Sequence, residues 1–252
     1  MSEQGISFIV PFRERKEHLP GFLCNIKKYY KNFEIILACQ DDNLLFRKGQ
    51  LSNLGWKKAK YNVLAFINLD YRFMSYVDIL QELIKYQRPI CTFSLAARVK
   101  DSTNGNLVVT RKPTPSPTAG GCTVFTKEQW LNCHGNSNLI IGWGPDDNLL
   151  FYRTNMIKLP DVCMGHIVHG KGGHYFSNEI KSRNQNIKML DPQKDPSKDG
   201  FEQTIADESE PKLLELNVTE YKFKNIRVPD NFEYMTEYNE GLKLERKLLH
   251  GA

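Results

Sequence analysis

Several sequence features that would define a class of protein are missing from this chain. Its 252 residues contain no run of about 18 apolar residues, so the sequence encodes no membrane-spanning helix. The amino terminus, Met-Ser-Glu-Gln-Gly, lacks the basic segment and apolar segment of a secretory signal. From these absences we expect no membrane span and a protein that stays in the compartment where it is made.

The chain also lacks a C-x-x-C pair and an H-E-x-x-H motif. Its six cysteines are scattered, mostly among apolar neighbours, as in Ile-Ile-Leu-Ala-Cys39. We interpret them as reduced core thiols, because neither a disulfide framework nor a zinc hydrolase motif is present. The net charge of +5 suits a phosphate-bearing small ligand but is too small to indicate nucleic acid.

The first 70 residues alternate between apolar and amphipathic segments. Residues 6–10, 33–39 and 63–67 are predicted strands, apolar on both faces as in a parallel sheet. Predicted helices end near Tyr30 and cover about residues 46–60. This order is typical of an α/β fold, in which ligands bind at the carboxyl ends of the strands.

Charged residues follow each of these three strands. Arg13 and Arg15 follow the first, and their guanidinium groups can pair with a diphosphate, although a solvated charge run at a helix start is the alternative. Asp41 and Asp42 follow the second. Asp70 follows the third, either as a turn residue or as a ligand of a hard divalent cation.

The rest of the chain gives weaker structural signals. Residues 90–96 are predicted as a strand, 101–119 as a proline-rich surface loop, and 120–125 as a strand followed by a helix capping box. Residues 191–211 are dense in charge without an apolar period and are predicted to form a linker or mobile loop. Residues 213–228 can supply one or two late strands.

The segment from Gly142 to Tyr152 is the most informative. It carries two adjacent carboxylates, Asp146 and Asp147, after the glycine-flanked Trp143 and before an apolar run. Carboxylates beside an aromatic side chain suit a site that binds a polar, ring-shaped substrate and accepts its proton. The alternative is an ordinary helix start, with Asp146 as the cap and Asp147 in the first turn.

Three of the six histidines, His166, His169 and His174, lie close together among glycines. Two imidazoles at i and i+3 can share one ion on a turned backbone but not on a straight strand. Because the glycines disfavour a regular strand, we predict a turned segment that binds a metal through His166 and His169. A surface loop with solvated histidines is the alternative.

Five motifs in chain order resemble the β-1,4-galactosyltransferase family of nucleotide-sugar-dependent glycosyltransferases. They are Val10-Pro-Phe-Arg-Glu-Arg at the first strand, Phe46-Arg-Lys-Gly-Gln-Leu at the second helix, Phe66-Ile-Asn-Leu-Asp70, Gly120-Gly-Cys-Thr-Val-Phe, and Gly142-Trp-Gly-Pro-Asp-Asp147. The resemblance covers about residues 6–175, with a fainter echo over 216–228. It implies a GT-A type, Rossmann-like mixed sheet flanked by helices, in a single domain with a C-terminal extension. We expect residues 1–190 to form the glycosyltransferase domain and 191–252 to pack on or complete it.

The resemblance also implies a role for each matching position. Asp147 is expected to be the general base, Asp146 to orient the acceptor, and Trp143 to close over the donor. Asp70, His166 and His169 are the implied ligands of Mn²⁺, with Mg²⁺ as a second candidate because His166 stands where animal members have methionine. The nucleotide pocket is expected to contain Pro11, Phe12, Arg13, Arg15, Phe46, Lys48 and Asp70.

The implied activity is inverting transfer of a hexose, galactose or N-acetylgalactosamine, from a UDP-sugar to a glycan acceptor. Three positions depart from the family pattern: Asn68 replaces the first Asp of an Asp-x-Asp pair, and Ile141 and Pro145 alter the acceptor loop. Two alternatives therefore stay open: a GT-A enzyme with another donor, and a non-catalytic sugar-nucleotide-binding homologue. No nucleic-acid partner is expected. The protein is predicted to be either a cytoplasmic protein of microbial or viral origin, or a soluble form of a protein that is normally anchored.

Overall fold

The computed structural model describes residues 4–13, 15–42, 45–101, 106–116, 120–142, 146–167 and 199–227. Trp143 and His169 lie outside the described residues. Elements in the described part are, in chain order, β1 (Ile6–Phe12), α1 (Leu19–Tyr29), β2 (Phe33–Gln40), α2 (Lys48–Trp56), β3 (Val63–Ile67), β4 (Tyr71–Phe73), α3 (Ile79–Tyr86), β5 (Ile90–Cys91), β6 (Leu95–Asp101), β7 (Leu107–Pro115), β8 (Cys122–Thr126), α4 (Lys127–Asn132), α5 (Asp146–Thr154), β9 (Ile157–Lys158), β10 (Cys163–Ile167), β11 (Ile205–Glu208), β12 (Lys212–Glu215) and β13 (Val218–Arg227).

The large sheet has the strand order β11-β13-β2-β1-β3-β8-β5-β9, with β12 paired to β13. Strands β13, β2, β1 and β3 run parallel, while β8 is antiparallel to β3. The central strands are buried on both faces, as their continuous apolar sequences predicted. Their carboxyl ends therefore bring Arg13, Arg15 and Asp70 to the same edge of the sheet.

Pro11 lies inside β1, although a central strand normally excludes proline. It is paired with Ala38 of β2, but the pairing of β1 with β3 ends at Ile9 and Phe66. No residue of β3 pairs with Pro11. The missing N–H of the proline therefore costs no hydrogen bond between β1 and β3. The strand can therefore run on to Phe12, two residues beyond the predicted end.

The small sheet, in the order β4-β10-β6-β7, corrects two predictions. The strand expected at residues 90–96 is divided between β5 of the large sheet and β6 of the small one. The surface loop expected at 101–119 contains β7, which pairs antiparallel with β6. Strand β7 lies at the sheet edge and most of its residues are exposed, so it tolerates polar and proline residues. Because of these residues, its sequence predicted a loop.

The prediction of a turned segment around His166 is also wrong for the residues that the structure describes, which end at Ile167. His166 lies in β10, which pairs with β4 on one side and β6 on the other. Gly165 fits this strand because a β-carbon there would lie 2.8 Å from Cγ2 of Val99. The glycine therefore permits β10 to pack closely against Val99 of the neighbouring strand β6, and it does not form a turn.

Residues 199–227 are more ordered than their composition predicted. The linker expected at 191–211 includes a 3-10 turn at Phe201–Gln203 and strand β11, and Phe201 and Thr204 are buried. The late strands expected at 213–228 are confirmed as β12 and β13, and β13 pairs with β2. No helix in the described ranges is long and apolar enough to cross a membrane.

Candidate active site

Asp70 lies three residues beyond the end of β3 and is 7% exposed. Its Oδ2 accepts a hydrogen bond from Nη1 of Arg15 at 2.7 Å and lies 3.4 Å from Nε2 of His166. Its backbone carbonyl accepts from the N–H of Ile167 at 2.8 Å. The pairing of β10 with β4 therefore brings two predicted metal ligands, about a hundred residues apart in sequence, into contact.

The His166 ring is held between Tyr71 and Arg98. It stacks on the Tyr71 ring, with centroids 4.8 Å apart and an interplanar angle of 22°. Nη1 of Arg98 lies 2.9 Å from its Nδ1. Because an arginine only donates, Nδ1 must accept, and a neutral His166 then carries its proton on Nε2, toward Asp70.

An aspartate oxygen and an imidazole nitrogen suit Mn²⁺ or Mg²⁺ as neighbouring ligands. Two adjacent ligands of an octahedral ion with bonds of about 2.1 Å lie about 3.0 Å apart. The 3.4 Å between Asp70 and His166 is close to that separation. No group of three or more potential metal-binding side chains occurs in the described ranges, and the third predicted ligand, His169, lies outside them.

Asp146 and Asp147 both lie in the first turn of α5, where the helix dipole favours negative charge. They share a single cation. Nζ of Lys48, the first residue of α2, lies 3.0 Å from Oδ2 of Asp146 and 2.5 Å from Oδ1 of Asp147. Since the three side chains are only 22%, 15% and 26% exposed, solvent screens this ion triad only in part.

The triad perturbs the proton affinity of its members. Burial and the adjacent charge of Asp147 raise the pKa of Asp146 to about 6, although Lys48 opposes the shift. Burial disfavours the charged form of Lys48, but the two carboxylates outweigh it, so the pKa of Lys48 is raised. Lys48 was predicted to line the nucleotide pocket. In the structure it contacts the two candidate acceptor-site carboxylates.

Gly120 and Gly121 separate the Asp70 cluster from the carboxylate pair. A β-carbon on Gly120 would overlap the carboxylate of Asp147, and one on Gly121 would lie 2.7 Å from the Tyr71 ring. Gly121 also has a φ of +107°, which strongly favours glycine. Burial raises the pKa of the Tyr71 hydroxyl, and the negative charges of Asp70 and Asp147 raise it further. Both charges act on Tyr71 because it lies between the Asp70 cluster and the carboxylate pair.

A small cavity lies beside the ion triad. Among the residues that line it are Pro11, Asn68, Gly121 and Asn136, together with Lys48 and Asp147. Asn68 thus faces the same cavity as the candidate base. The amide gives this position hydrogen-bonding capacity without the second negative charge of an Asp-x-Asp pair.

The other predicted nucleotide-binding residues lie near the end of β1. The Arg13 guanidinium lies over the Phe46 ring, 5.5 Å from its centroid. Phe12, also predicted in the nucleotide pocket, is 4% exposed and packs in the hydrophobic core. Pro11 is buried and Phe46 is half-buried.

Sequence reasoning did not identify Tyr71, Arg98 or the role of Gly120. Tyr71 directly follows Asp70, so its proximity to the site was available from the sequence. Arg98 reaches His166 only because β6 and β10 pair in register, which no local pattern encodes. The Gly120-Gly121 pair was visible as a motif, but its contact with Asp147 depends on the packing of α5.

The mixed sheet, with charged residues at the ends of its parallel strands, defines the class of fold as GT-A. A solved structure of β-1,4-galactosyltransferase 7 from Drosophila, in complex with manganese, UDP-Gal and xylobiose, matches with a TM-score of 0.63 at 17% identity. The match covers 90% of this chain and 96% of that one. The predicted GT-A fold is confirmed by this likeness.

Within that class, the predicted resemblance to the β-1,4-galactosyltransferases is also confirmed. The family model described as the N-terminal domain of galactosyltransferase matches residues 108–165. Bovine β-1,4-galactosyltransferase 1 is 22% identical over 189 residues, which are 66% of this chain and 41% of that protein. Xylosylprotein 4-β-galactosyltransferase of Caenorhabditis elegans is 27% identical over 165 residues, 60% of this chain and 50% of that protein. The chain thus spans half or less of the length of these two relatives.

Proposed function

We propose that this chain is a metal-dependent, inverting glycosyltransferase that transfers a hexose, galactose or N-acetylgalactosamine, from a UDP-sugar to a glycan acceptor. One observation carries the proposal. The Gly120-Gly121 pair has the candidate base Asp147 on one side and Tyr71, next to Asp70 and His166, on the other. A donor diphosphate bound near Asp70 would then lie beside an acceptor hydroxyl at Asp147.

On the donor side, Arg13 and Arg15 pair with phosphate oxygens, since guanidinium groups bind them in a bidentate manner. Asp70 and His166, with His169 as a third candidate, would hold Mn²⁺ or Mg²⁺. When bound, such an ion neutralises negative charge on a departing diphosphate. Arg15 must then share or release the Asp70 oxygen that it contacts at 2.7 Å.

On the acceptor side, Asp147 accepts the proton of the acceptor hydroxyl, and Asp146 orients the acceptor. The acceptor oxygen forms a bond to the anomeric carbon as the bond from that carbon to the UDP oxygen breaks. Because attack and departure occur on opposite faces, the anomeric configuration inverts. Lys48 contributes by contacting both carboxylates, and its charge opposes the rise in the pKa of Asp146 that burial causes.

Water exclusion and domain organisation complete the proposal. Closure of Trp143 over the donor would limit hydrolysis of the sugar nucleotide. We also propose that residues 191–252 complete the domain formed by 1–190. The insertion of β13 next to β2 in the main sheet supports this organisation.

The test is a transfer assay with purified protein, Mn²⁺, and a panel of UDP- and GDP-sugars with glycan acceptors of different terminal residues. We expect acceptor-dependent release of UDP, loss of it with a chelator, and a product of inverted configuration. Asp147→Asn serves as the inactive control. Transfer from a GDP-sugar alone would refute the donor assignment, and retention of configuration would refute the mechanism.

A non-catalytic sugar-nucleotide-binding protein is the second candidate. It is favoured by Asn68, which removes a carboxylate, and by the bond between Lys48 and the candidate base. Two results together would support it: calorimetry shows that UDP binds, and no UDP is released from any donor, with or without an acceptor. Metal-dependent UDP release that is abolished in Asp147→Asn would exclude it.

A further inference from the structure

A buried carboxylate, Asp199, lies within the predicted linker of residues 191–211 and takes no part in the chemistry above. It is 3% exposed. Oδ1 accepts from the N–H of Asn138 at 2.6 Å, and Oδ2 accepts from Oγ of Ser137 at 2.5 Å and from Nη2 of Arg153 at 2.9 Å. Nη1 of Arg153 also donates to the Asp199 carbonyl at 3.1 Å. Both carboxylate oxygens are therefore satisfied by strong donors.

The donors come from either side of the candidate carboxylate pair. Ser137 and Asn138 belong to the loop that precedes Asp146 and Asp147 in sequence, and Arg153 lies near the carboxyl end of the helix that starts with them. A single side chain thus holds the chain before and after the two catalytic candidates. A shift of Asp199 would be transmitted to both ends of that stretch.

The same loop is docked on α2, the helix that supplies Lys48. Nε2 of Gln50 donates to the carbonyl of Asn138 at 3.0 Å, and Nδ2 of Asn53 donates to that of Asn136 at 2.8 Å. Thr204, five residues after Asp199, donates to Oδ1 of Asn138 at 2.5 Å. The polar contacts of 199–204 therefore connect the helix bearing the cation to the helix bearing the carboxylates.

A buried ion pair is an expensive way to stabilise a fold, since desolvation offsets most of the attraction. Asp199 and the Arg153 side chain are 3% and 5% exposed, so the cost applies to both. A network with several directional bonds does, however, restrict the geometry more than apolar packing does. The desolvation cost and the directional bonds together favour a role for Asp199 in fixing the positions of its neighbours over a role in stabilising the fold.

From these contacts, and resting on the proposed function, we propose that Asp199 is a positioning residue for catalysis. Through Ser137, Asn138 and Arg153 it sets the placement of Asp146 and Asp147 against Lys48. It does not touch substrate. The donor-side residues Arg15 and Asp70 make none of these contacts in the described part of the chain, so donor binding is expected to be independent of Asp199.

The first test compares Asp199→Asn with Asp207→Asn, which removes an exposed carboxylate from β11 of the same C-terminal part. A displacement of about 1 Å at a reacting group costs about 100-fold in rate. We expect kcat to fall about 10- to 100-fold in Asp199→Asn with the KM for the UDP-sugar unchanged. Asp207→Asn should match the unaltered protein. A proportional loss of folded fraction, UDP binding and kcat would instead show a purely structural role.

Two further variants keep the test informative if Asp199→Asn folds poorly. Ser137→Ala removes the hydroxyl that donates to Asp199 and accepts from the N–H of Leu139, but it removes no charge. It should lower kcat in the same direction but less. The double variant Arg153→Met/Asp199→Leu replaces the ion pair by apolar side chains of similar size, which often preserves stability. A folded double variant with full kcat would overturn the proposal.

The second test needs no turnover. Lys48 is the cation held by both carboxylates, so its acetylation by acetic anhydride, followed by mass spectrometry, reports their placement. We expect faster acetylation of Lys48 in Asp199→Asn, with unchanged labelling of the exposed Lys85. Unchanged Lys48 labelling would overturn the positioning role. If the unaltered protein transfers no sugar while Lys48 labelling still increases, the proposed function fails and the structural coupling stands.

Discussion

The carboxylate of Asp147 occupies the space that a β-carbon on Gly120 would fill. Gly120 precedes β8, whereas Asp147 lies in the first turn of α5, so the contact depends on how the helix packs against the sheet. It also brings the carboxylate next to Gly121, whose far side is covered by Tyr71. The absence of one side chain thus permits the candidate base to approach the donor-side cluster.

Gly120→Ala should therefore displace Asp147. We expect transfer to fall by about 100-fold, the cost of moving a reacting group by about 1 Å. UDP binding by calorimetry should be nearly unchanged, because the atoms nearest to the new methyl group belong to Asp147 and not to the donor-side residues Arg15 and Asp70. Wild-type turnover in a folded Gly120→Ala protein would mean that the position of Asp147 is not critical.

Asp147→Asn tests the role of the carboxylate itself. The amide keeps the volume and can still accept from Lys48, but it cannot accept the acceptor proton at neutral pH. We expect loss of transfer with donor binding retained, measured by product formation and UDP titration. Asp161→Asn, at an exposed position, is the matched control. Substantial turnover in Asp147→Asn would transfer the role of base to another group.

Lys48→Met should change the pH dependence of transfer. Burial and Asp147 raise the pKa of Asp146 to about 6, and the charge of Lys48 acts in the opposite direction. Removing that charge leaves Asp146, the residue proposed to orient the acceptor, harder to ionise, so the acidic limb of kcat/KM moves to higher pH. The loss of activity should thus be greater at acidic than at alkaline pH.

The control for this profile is Lys85→Met, which removes an exposed lysine on α3. Its pH profile should coincide with that of the unaltered protein. A uniform loss of activity in Lys48→Met, with no displacement of the acidic limb, would indicate that the lysine acts by contact with the substrate rather than through the carboxylates.

The parallel core was predictable from sequence because its signals are local. Apolar runs at β1, β2 and β3 can be buried on both faces only in a covered parallel sheet, and their order placed Arg15 and Asp70 at one edge. Asp70 and His166, which the motif order predicts as ligands of one metal ion, lie 3.4 Å apart, and their metal role stays a prediction. In these cases residue type, strand position and motif order all agreed.

The remaining features depend on pairing between distant segments. Strand β7 is mostly exposed and contains prolines, so it has no apolar alternation to reveal it. The glycines near His166 suggested a turn, whereas Gly165 serves packing against Val99. Lys48 was predicted to line the nucleotide pocket, and this stays a prediction. Its ion pairs with Asp146 and Asp147 join the starts of α2 and α5, which are distant in sequence, so no local pattern predicted them.

Arg98 and His166 provide the final prediction. Arg98 donates to Nδ1 of His166, which leaves the ring proton on Nε2, facing Asp70. Binding of a metal through Nε2 requires the opposite tautomer, in which Nδ1 carries the proton and cannot accept from Arg98. The metal must therefore compete with one hydrogen bond.

Arg98→Met should thus lower the Mn²⁺ concentration for half-maximal UDP binding or transfer by about fivefold, equivalent to a hydrogen bond of about 1 kcal/mol. Arg111→Met, which changes the exposed residue paired with Arg98 on β7, should leave the Mn²⁺ titration unchanged. His166→Ala should raise the requirement, because a ligand is lost. If Arg98→Met also raised it, Arg98 would support the metal-bound orientation of the ring, and the competition inferred from the tautomer would be wrong.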